Sequence, residues 1–334
     1  MRLVTAVGAG VGALAAFALT RRPSYDFDGR VVLITGGSRG LGLVMARELV
    51  HKHRGRVVLV ARTAEALDRA ARDLDRPDAV HTITGDVRSA ADAERIVQNA
   101  AARFGRLDVL INNAGVIVGA PFGDTTDEDF RNSLAVHFWG VLHMTRAALP
   151  YLPRPDGRIV NICSIGGKLA VPHLAAYCAG KFAQAGLSSV MAEELAAEGV
   201  TVSTVYPGLM RTGSYVNAQF RGQVSREFAA FALASSLPGI SMGAERAAAQ
   251  ILRGVRAGRR QIVIPWTIRQ TARMAELAPN IASSLFAAVN AILPGQADIQ
   301  SPAVKGAELS LPAPIAMAAT LGTRAAERNN EMGG

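Results

Sequence analysis

The stretch VVLITGGSRGLG, Val31 to Gly42, decides the fold. VVLIT at 31–35 is an apolar run of the kind that forms a strand buried on both faces. Gly36, Gly40 and Gly42 then let the backbone turn tightly and come close to a ligand. The helix that follows starts with N–H groups that lack partners, and its dipole puts positive charge at the same end, which suits an anion. Gly36, Ser38, Arg39, Gly40, Leu41 and Gly42 are therefore expected to cradle the pyrophosphate of a dinucleotide. A glycine pattern alone is weak, but the strand before it and the helix after it supply the context the motif needs.

Outward from this loop the chain alternates strand and helix. Further apolar runs read as parallel strands: VVLVA at 57–61, AVHTI at 79–83, LDVLIN at 107–112, RIVNICS at 158–164, VTVSTVY at 200–206 and QIVIP at 261–265. Stretches such as ALDRAARDL and SLAVHFWGVLHMTRAAL between them read as helices. The alternation implies right-handed crossovers and one α/β domain with a Rossmann-type doubly wound parallel sheet. Its ligand cleft belongs beyond the carboxyl ends of the strands.

The second strand selects the dinucleotide. An NAD site usually ends this strand with an acidic residue on the ribose hydroxyls. Here Ala61-Arg62 stands there, and no carboxylate follows until Glu65. Arg39 adds a second cation within the glycine loop. Two guanidinium groups suit a 2′-phosphate, which they grip bidentately, so NADP(H) is expected over NAD(H).

The segment AAYCAGK, Ala175 to Lys181, sets a phenol and an ammonium one turn apart on one helix face. Taken in order, TGGSRGLG, Asp86-Val87, Asn112-Asn113-Ala114-Gly115, Ser164, Tyr177-x-x-x-Lys181 and Pro207-Gly208 resemble the short-chain dehydrogenase/reductase family, over about residues 28–266. Each motif is unspecific alone; the ordered set is specific. The resemblance implies that Tyr177 is general acid in reduction and general base in oxidation, and that Ser164 donates to the substrate oxygen. It implies that Lys181 bonds the nicotinamide ribose, and its charge is expected to stabilise a phenolate whose ordinary pKa near 10 matches neutral pH poorly. It places Asp86 and Val87 at the adenine and Asn113, Ala114 and Gly115 beside the adenine ribose. Pro207 and Gly208 then run along the nicotinamide, with Thr212 near its carboxamide or the phosphates. One position departs from the pattern. Val136-His137-Phe138-Trp139-Gly140 carries histidine where the family has an asparagine that holds a water of the proton relay. His137 is expected to take that role, with a pH-sensitive step, unless it is only packed in its helix.

Composition bounds the rest. Of 334 residues, 49% are hydrophobic and 19% charged, which is globular, and the positive mean hydropathy leans towards membrane contact. The net charge of +9 favours anionic partners, but no nucleic-acid recognition motif appears. Cys163 and Cys178 make neither a disulfide framework nor a metal site and read as small core residues. Residues 3–19 carry no charge and are flanked by Arg2, Arg21 and Arg22. As a helix they span about 26 Å, just short of a hydrocarbon core. Residues 1–22 are read as a membrane anchor with the catalytic domain on the cytoplasmic side; a cleaved signal peptide and a tail docked on the domain are the alternatives.

The remaining segments are read from pattern. Residues 213–239, with Tyr215, Phe220, Phe228 and Phe231, are expected to form a mobile apolar lid. Residues 267–294 repeat apolar positions at helical spacing, for membrane, partner or core, and 295–334 are expected to be a disordered tail. Arg253, Arg256, Arg259 and Arg260 could meet an anionic lipid surface or only solvate a helix end. The expected function is an NADP(H)-dependent oxidoreductase of a lipophilic carbonyl or alcohol, in a homodimer or homotetramer as the resemblance implies. A catalytically idle NADP(H)-binding sensor or scaffold is the alternative. A sugar-nucleotide epimerase fits poorly, because no separate substrate domain follows.

Overall fold

Seven strands form one wholly parallel sheet: β1 (Val31–Thr35), β2 (Arg56–Ala61), β3 (Val80–Thr84), β4 (Val109–Asn112), β5 (Arg158–Ile162), β6 (Thr201–Pro207) and β7 (Gln261–Ile264). Their order across the sheet is β7-β6-β5-β4-β1-β2-β3. The computed structural model describes residues 24–297 and 302–332, so the hydrophobic run 3–19 lies outside the described residues. The expected strands all form, with ends shifted by one or two residues.

The apolar runs are explained by burial on both faces. Val32 and Ile34 of β1 pack with Leu43 and Leu49 of α1 (Gly40–His53), Leu67 of α2 (Ala64–Leu74) and, further along, residues of the helix Ala244–Arg256. Val31 and Leu33 face the other way, towards Ile96 of α3 (Ala90–Phe104) and Met144. That second layer continues with α4 (Asp127–Leu134), a π-helical segment Ala135–Gly140, α5 (Val141–Ala148) and α6 (Ala175–Glu194). Sheet order reverses between β1 and β4, and the cleft sits outside their carboxyl ends.

The chain joins this frame at the opposite pole. Tyr25 N–H donates to Arg256 O at 2.8 Å, and Arg256 Nε returns a bond to Tyr25 O at 3.0 Å. The Arg158 guanidinium, at the start of β5, lies 4.1 Å from the Tyr25 ring centroid.

Past β6 the structure departs from the sequence reading twice. The expected lid contains α7 (Val224–Ser236), and its aromatics turn inward on one another. Tyr215, Phe220 and Phe228 are buried against one another as a small separate core that also takes in Ala326. Second, the expected disordered tail is ordered over 302–332. Val304–Lys305 pairs antiparallel with Gln219–Phe220, and two helices follow, α11 (Ala313–Ala318) and α12 (Thr320–Arg328). Small residues allow this: a Cβ on Gly322 would collide with the Ser236 side chain, and one on Gly213 with the backbone of Ala326. An Ala- and Gly-rich segment gains order here from close packing on the lid, which composition does not encode.

Between α8 (Ala244–Arg256) and that tail, α9 (Trp266–Leu277) and α10 (Pro279–Ile292) extend from β7. No residue of α10 is buried, so its apolar face does not belong to the core. Among the described residues no helix is long and apolar enough to cross a membrane.

Candidate active site

The glycine loop is fixed by the strand on its far side. Thr35 Oγ1 accepts from the N–H groups of Asn113 and Ala114, each at 3.0 Å. The Asn113 amide donates to Thr35 O at 3.0 Å and Gly36 O at 3.1 Å. The Asn113 side chain therefore ties the loop to β4, where the resemblance had set it beside a ribose. Gly36 has φ +63°, and a Cβ there would lie 2.9 Å from Ala114 Cα, so glycine is required twice over.

The helix that starts in this loop has no side-chain cap and no acidic residue in its first turn. A Cβ on Gly42 would lie 2.4 Å from Gly36 O, so glycine there lets the loop close on itself, and Thr212 faces Gly40, 4.0 Å from where a Cβ would be. A helix start with no side-chain cap and no acid of its own suits a pyrophosphate. Arg62 is exposed at the end of β2, while Arg39 turns towards the lid and bonds Asn217 Oδ1 at 2.9 Å. Asp86 pairs with Arg88 at 2.5 Å, and buried Val87 packs against Gly140 under the π segment. Pro207 ends β6, and Gly208 N–H donates to Ile264 O at 2.8 Å.

The four residues expected to carry chemistry come together. Ser164 caps the short turn after β5 and accepts from Gly166 N–H at 3.1 Å, leaving its own hydrogen to donate. The Ser164 hydroxyl lies beside Tyr177: a Cβ on Gly166 would be 3.3 Å from Tyr177 Cε1 and 3.5 Å from Ser164 Oγ. Lys181 lies one turn further along α6, with Nζ 5.8 Å from the Tyr177 ring centroid. Only 3% exposed, it donates to Ile162 O and Gln184 Oε1, both at 2.9 Å. Gln184 was missed in the sequence, although its place three residues after Lys181 on the same helix is the signal that marks it.

Burial acts on both groups. It pushes the Lys181 ammonium down to about 8 from 10.5, because removal from water penalises the charged form. It pushes the Tyr177 phenol above its ordinary 10.0, outweighing the opposing hydrogen bond from Ser164. The expected lowering of the phenol by Lys181 is thus not built into the protein alone.

His137 sits in the π segment, fully buried, its ring edge-on to Tyr177 with centroids 5.4 Å apart. Nε2 accepts from Val116 N–H at 3.2 Å, which fixes the proton on Nδ1, from which it reaches Ser133 Oγ at 3.2 Å. Burial, and then the Lys181 charge, hold its pKa well below 6.5. The pH-sensitive step expected of His137 is therefore not available near neutrality, and both nitrogens are already bonded to protein. It buttresses Tyr177 by packing.

The site's last walls come from the carboxyl end of the chain, which the sequence reading did not implicate. Gly40 N–H donates to Asn329 O at 2.9 Å. Glu331, 4% exposed, bonds Asn217 Nδ2 at 2.6 Å through its carboxylate.

The short chain dehydrogenase family model matches residues 30–220. An 11-beta-hydroxysteroid dehydrogenase-like protein 4A of Arabidopsis thaliana is 37% identical over 198 residues, covering 58% of this chain and 65% of its own length. An 11-beta-hydroxysteroid dehydrogenase A of Sesamum indicum is 32% identical over 283 residues, covering 82% of this chain and 79% of its own. A crystal structure of a short-chain dehydrogenase from Streptomyces avermitilis superposes with a TM-score of 0.67 at 29% identity, covering 79% and 98% of the two chains. The fold and the ordered motifs define a Rossmann-type α/β oxidoreductase scaffold. This chain belongs to the short-chain dehydrogenase/reductase family.

Proposed function

We propose that this chain is an NADP(H)-dependent oxidoreductase that interconverts a carbonyl and a secondary alcohol on a lipophilic substrate. The observation that carries the reading is the Ser164–Tyr177–Lys181 cluster at the carboxyl end of β5, beside a glycine cradle. A bound nicotinamide supplies the hydride and, when oxidised, a positive charge beside the phenol. Tyr177 Oη gives its proton to the substrate oxygen as the carbonyl is reduced and takes it back on oxidation. Ser164 donates to the same oxygen, where negative charge grows in the transition state. Lys181 keeps one of its three N–H bonds beyond Ile162 and Gln184, for a ribose hydroxyl or the tyrosine oxygen.

The absence of an acidic residue after β2, with Arg62 in its place, supports NADP(H). Relatives named as hydroxysteroid dehydrogenases support a lipophilic substrate. Residues 3–19 support membrane association with the catalytic domain on the cytoplasmic side. Trp139, Phe182 and Val190, exposed on the π segment and α6, support a homodimer or homotetramer. The intact trio argues against an idle dinucleotide-binding sensor. The test is a screen of carbonyl substrates followed by NADPH absorbance, with Tyr177→Phe as control. No turnover of any carbonyl despite tight NADPH binding would overturn the enzyme reading.

A further inference from the structure

The phosphate end of the cleft already holds a segment of this chain. Asn329 O takes the N–H of Gly40, the first residue of α1. Asn329 Nδ2 donates to Thr212 O at 3.3 Å across the cleft. Asn330 Nδ2 donates to Ser38 O at 2.7 Å and to Ala66 O at 3.1 Å, while Arg69 Nε donates to Asn330 Oδ1 at 2.8 Å. Arg47 bonds Asn329 Oδ1 at 3.0 Å and Arg328 O at 2.6 Å. The Glu331 carboxylate lies so close to Gly40 that a Cβ there would be 2.5 Å from Oε1. Its partners are Asn217 and, at 3.8 Å, Arg39.

Three features make this more than incidental packing. An acidic side chain lies beside a helix N-terminus that has no side-chain cap of its own, where phosphate is favoured. The partners of the segment include Gly40 and Thr212 for Asn329, Ser38 for Asn330 and Arg39 for Glu331, all residues that the sequence assigns to the dinucleotide. The segment also follows a packed base: Thr323 of α12 lies with its Oγ1 3.2 Å from Tyr215 Oη, and a Cβ on Gly322 would collide with Ser236 of α7.

We propose that Asn329–Glu331 is a tethered occupant of the phosphate cradle, with the Glu331 carboxylate standing where a cofactor phosphate binds, so that the dinucleotide enters only as this segment leaves. This rests on the proposed cofactor reading. Glu331 is weakly held for a buried anion: one cation at 3.8 Å and one amide bond its carboxylate. Burial accordingly raises its carboxyl to about 7. The carboxylate is therefore a competitor that a doubly charged pyrophosphate can displace.

The test compares the full chain with a chain ending at Arg328, by NADPH titration and by amide hydrogen exchange at Gly40. A closed state holding about nine-tenths of the molecules weakens apparent affinity about tenfold. Truncation is therefore expected to tighten NADPH binding by about that factor and to speed Gly40 exchange in cofactor-free protein. Glu331→Ala in the full chain should move both readouts the same way and keeps α12 in place. Unchanged or weaker NADPH binding by both variants would overturn the proposal, as would Gly40 exchange that truncation leaves unaltered. If neither form binds NADPH or NADH although truncation speeds Gly40 exchange, the cofactor reading fails and the competition with it. That pattern differs from tight, equal binding by both forms, which sinks the competition alone.

Discussion

The two ends of the cleft are built by opposite means. At the chemical end, Ser164, Tyr177 and Lys181 come from one strand end and one helix, and each is held by a neighbour within about twenty residues. At the phosphate end, residues 38–40 meet Asn217, from the segment after β6, and residues 329–331, from beyond the last strand of the sheet. The first end is rigid because its parts are integral to the sheet. The second depends on a segment that can leave without breaking a strand pair or opening the main core. Catalytic geometry and cofactor access are thereby placed under separate control.

The contrast predicts unequal sensitivity. The largest effect belongs to Tyr177→Phe, which removes the proton donor but no packing; kcat/KM should fall about a thousandfold while NADPH affinity and Tm stay near wild type. Retention of a tenth of the activity would show that another group moves the proton. Lys181→Met should lower kcat/KM about a hundredfold and erase an ionisation near pH 8 in the free enzyme's profile. The sign follows from its lowered folded pKa. The ammonium is present below about 8 and lost above it, so activity that depends on the charge declines on the alkaline side. A break near pH 8 that persists in the variant would assign it elsewhere.

At the phosphate end the effects are smaller. Arg62→Asp should cost NADPH about ten- to a hundredfold in KM and improve NADH, as expected for losing a charge-assisted hydrogen bond. An unchanged preference would detach Arg62 from the 2′-phosphate. The smallest expected effect concerns pH and the tail. Glu331 has a folded pKa of about 7 against an ordinary 4.5, so the docked carboxyl keeps a proton that the released one has lost in this window. Docking should weaken as pH rises through it. Arg39 is the cation facing Glu331, and Arg47 and Arg69 bond the adjoining asparagines. The ratio of NADPH affinities between truncated and full-length protein should therefore shrink from pH 5 to pH 8, the dinucleotide's own titration cancelling. A ratio that grows with pH would contradict the assignment of charge.

How far the sequence was legible follows the same division. The seven strands were readable because doubly buried parallel strands leave apolar runs, and the cleft's place followed from their order. The glycine loop and Tyr177–Lys181 were readable because local spacing fixes them. Two kinds of fact were not. Asn113 and His137 could be located, but not their partners, because a polar side chain's hydrogen bonds depend on what the fold brings alongside: Thr35 and Gly36 for one, Val116 and Ser133 for the other. Glu331 was invisible altogether. Its segment has weak intrinsic structure, and its contact with Gly40 spans almost the whole chain.

The pairing of Tyr25 with Arg256 has a practical bearing. It fastens the start of the described chain at the amino ends of the strands, the pole away from the cleft. Material fused ahead of Ser24 attaches at that rear face and leaves the mouth clear, so an immobilised preparation gripped there keeps its native ligand traffic. A purification handle added after Gly334 would instead tug directly on the segment at Gly40, and assays of such a preparation would report a cleft different from the native one.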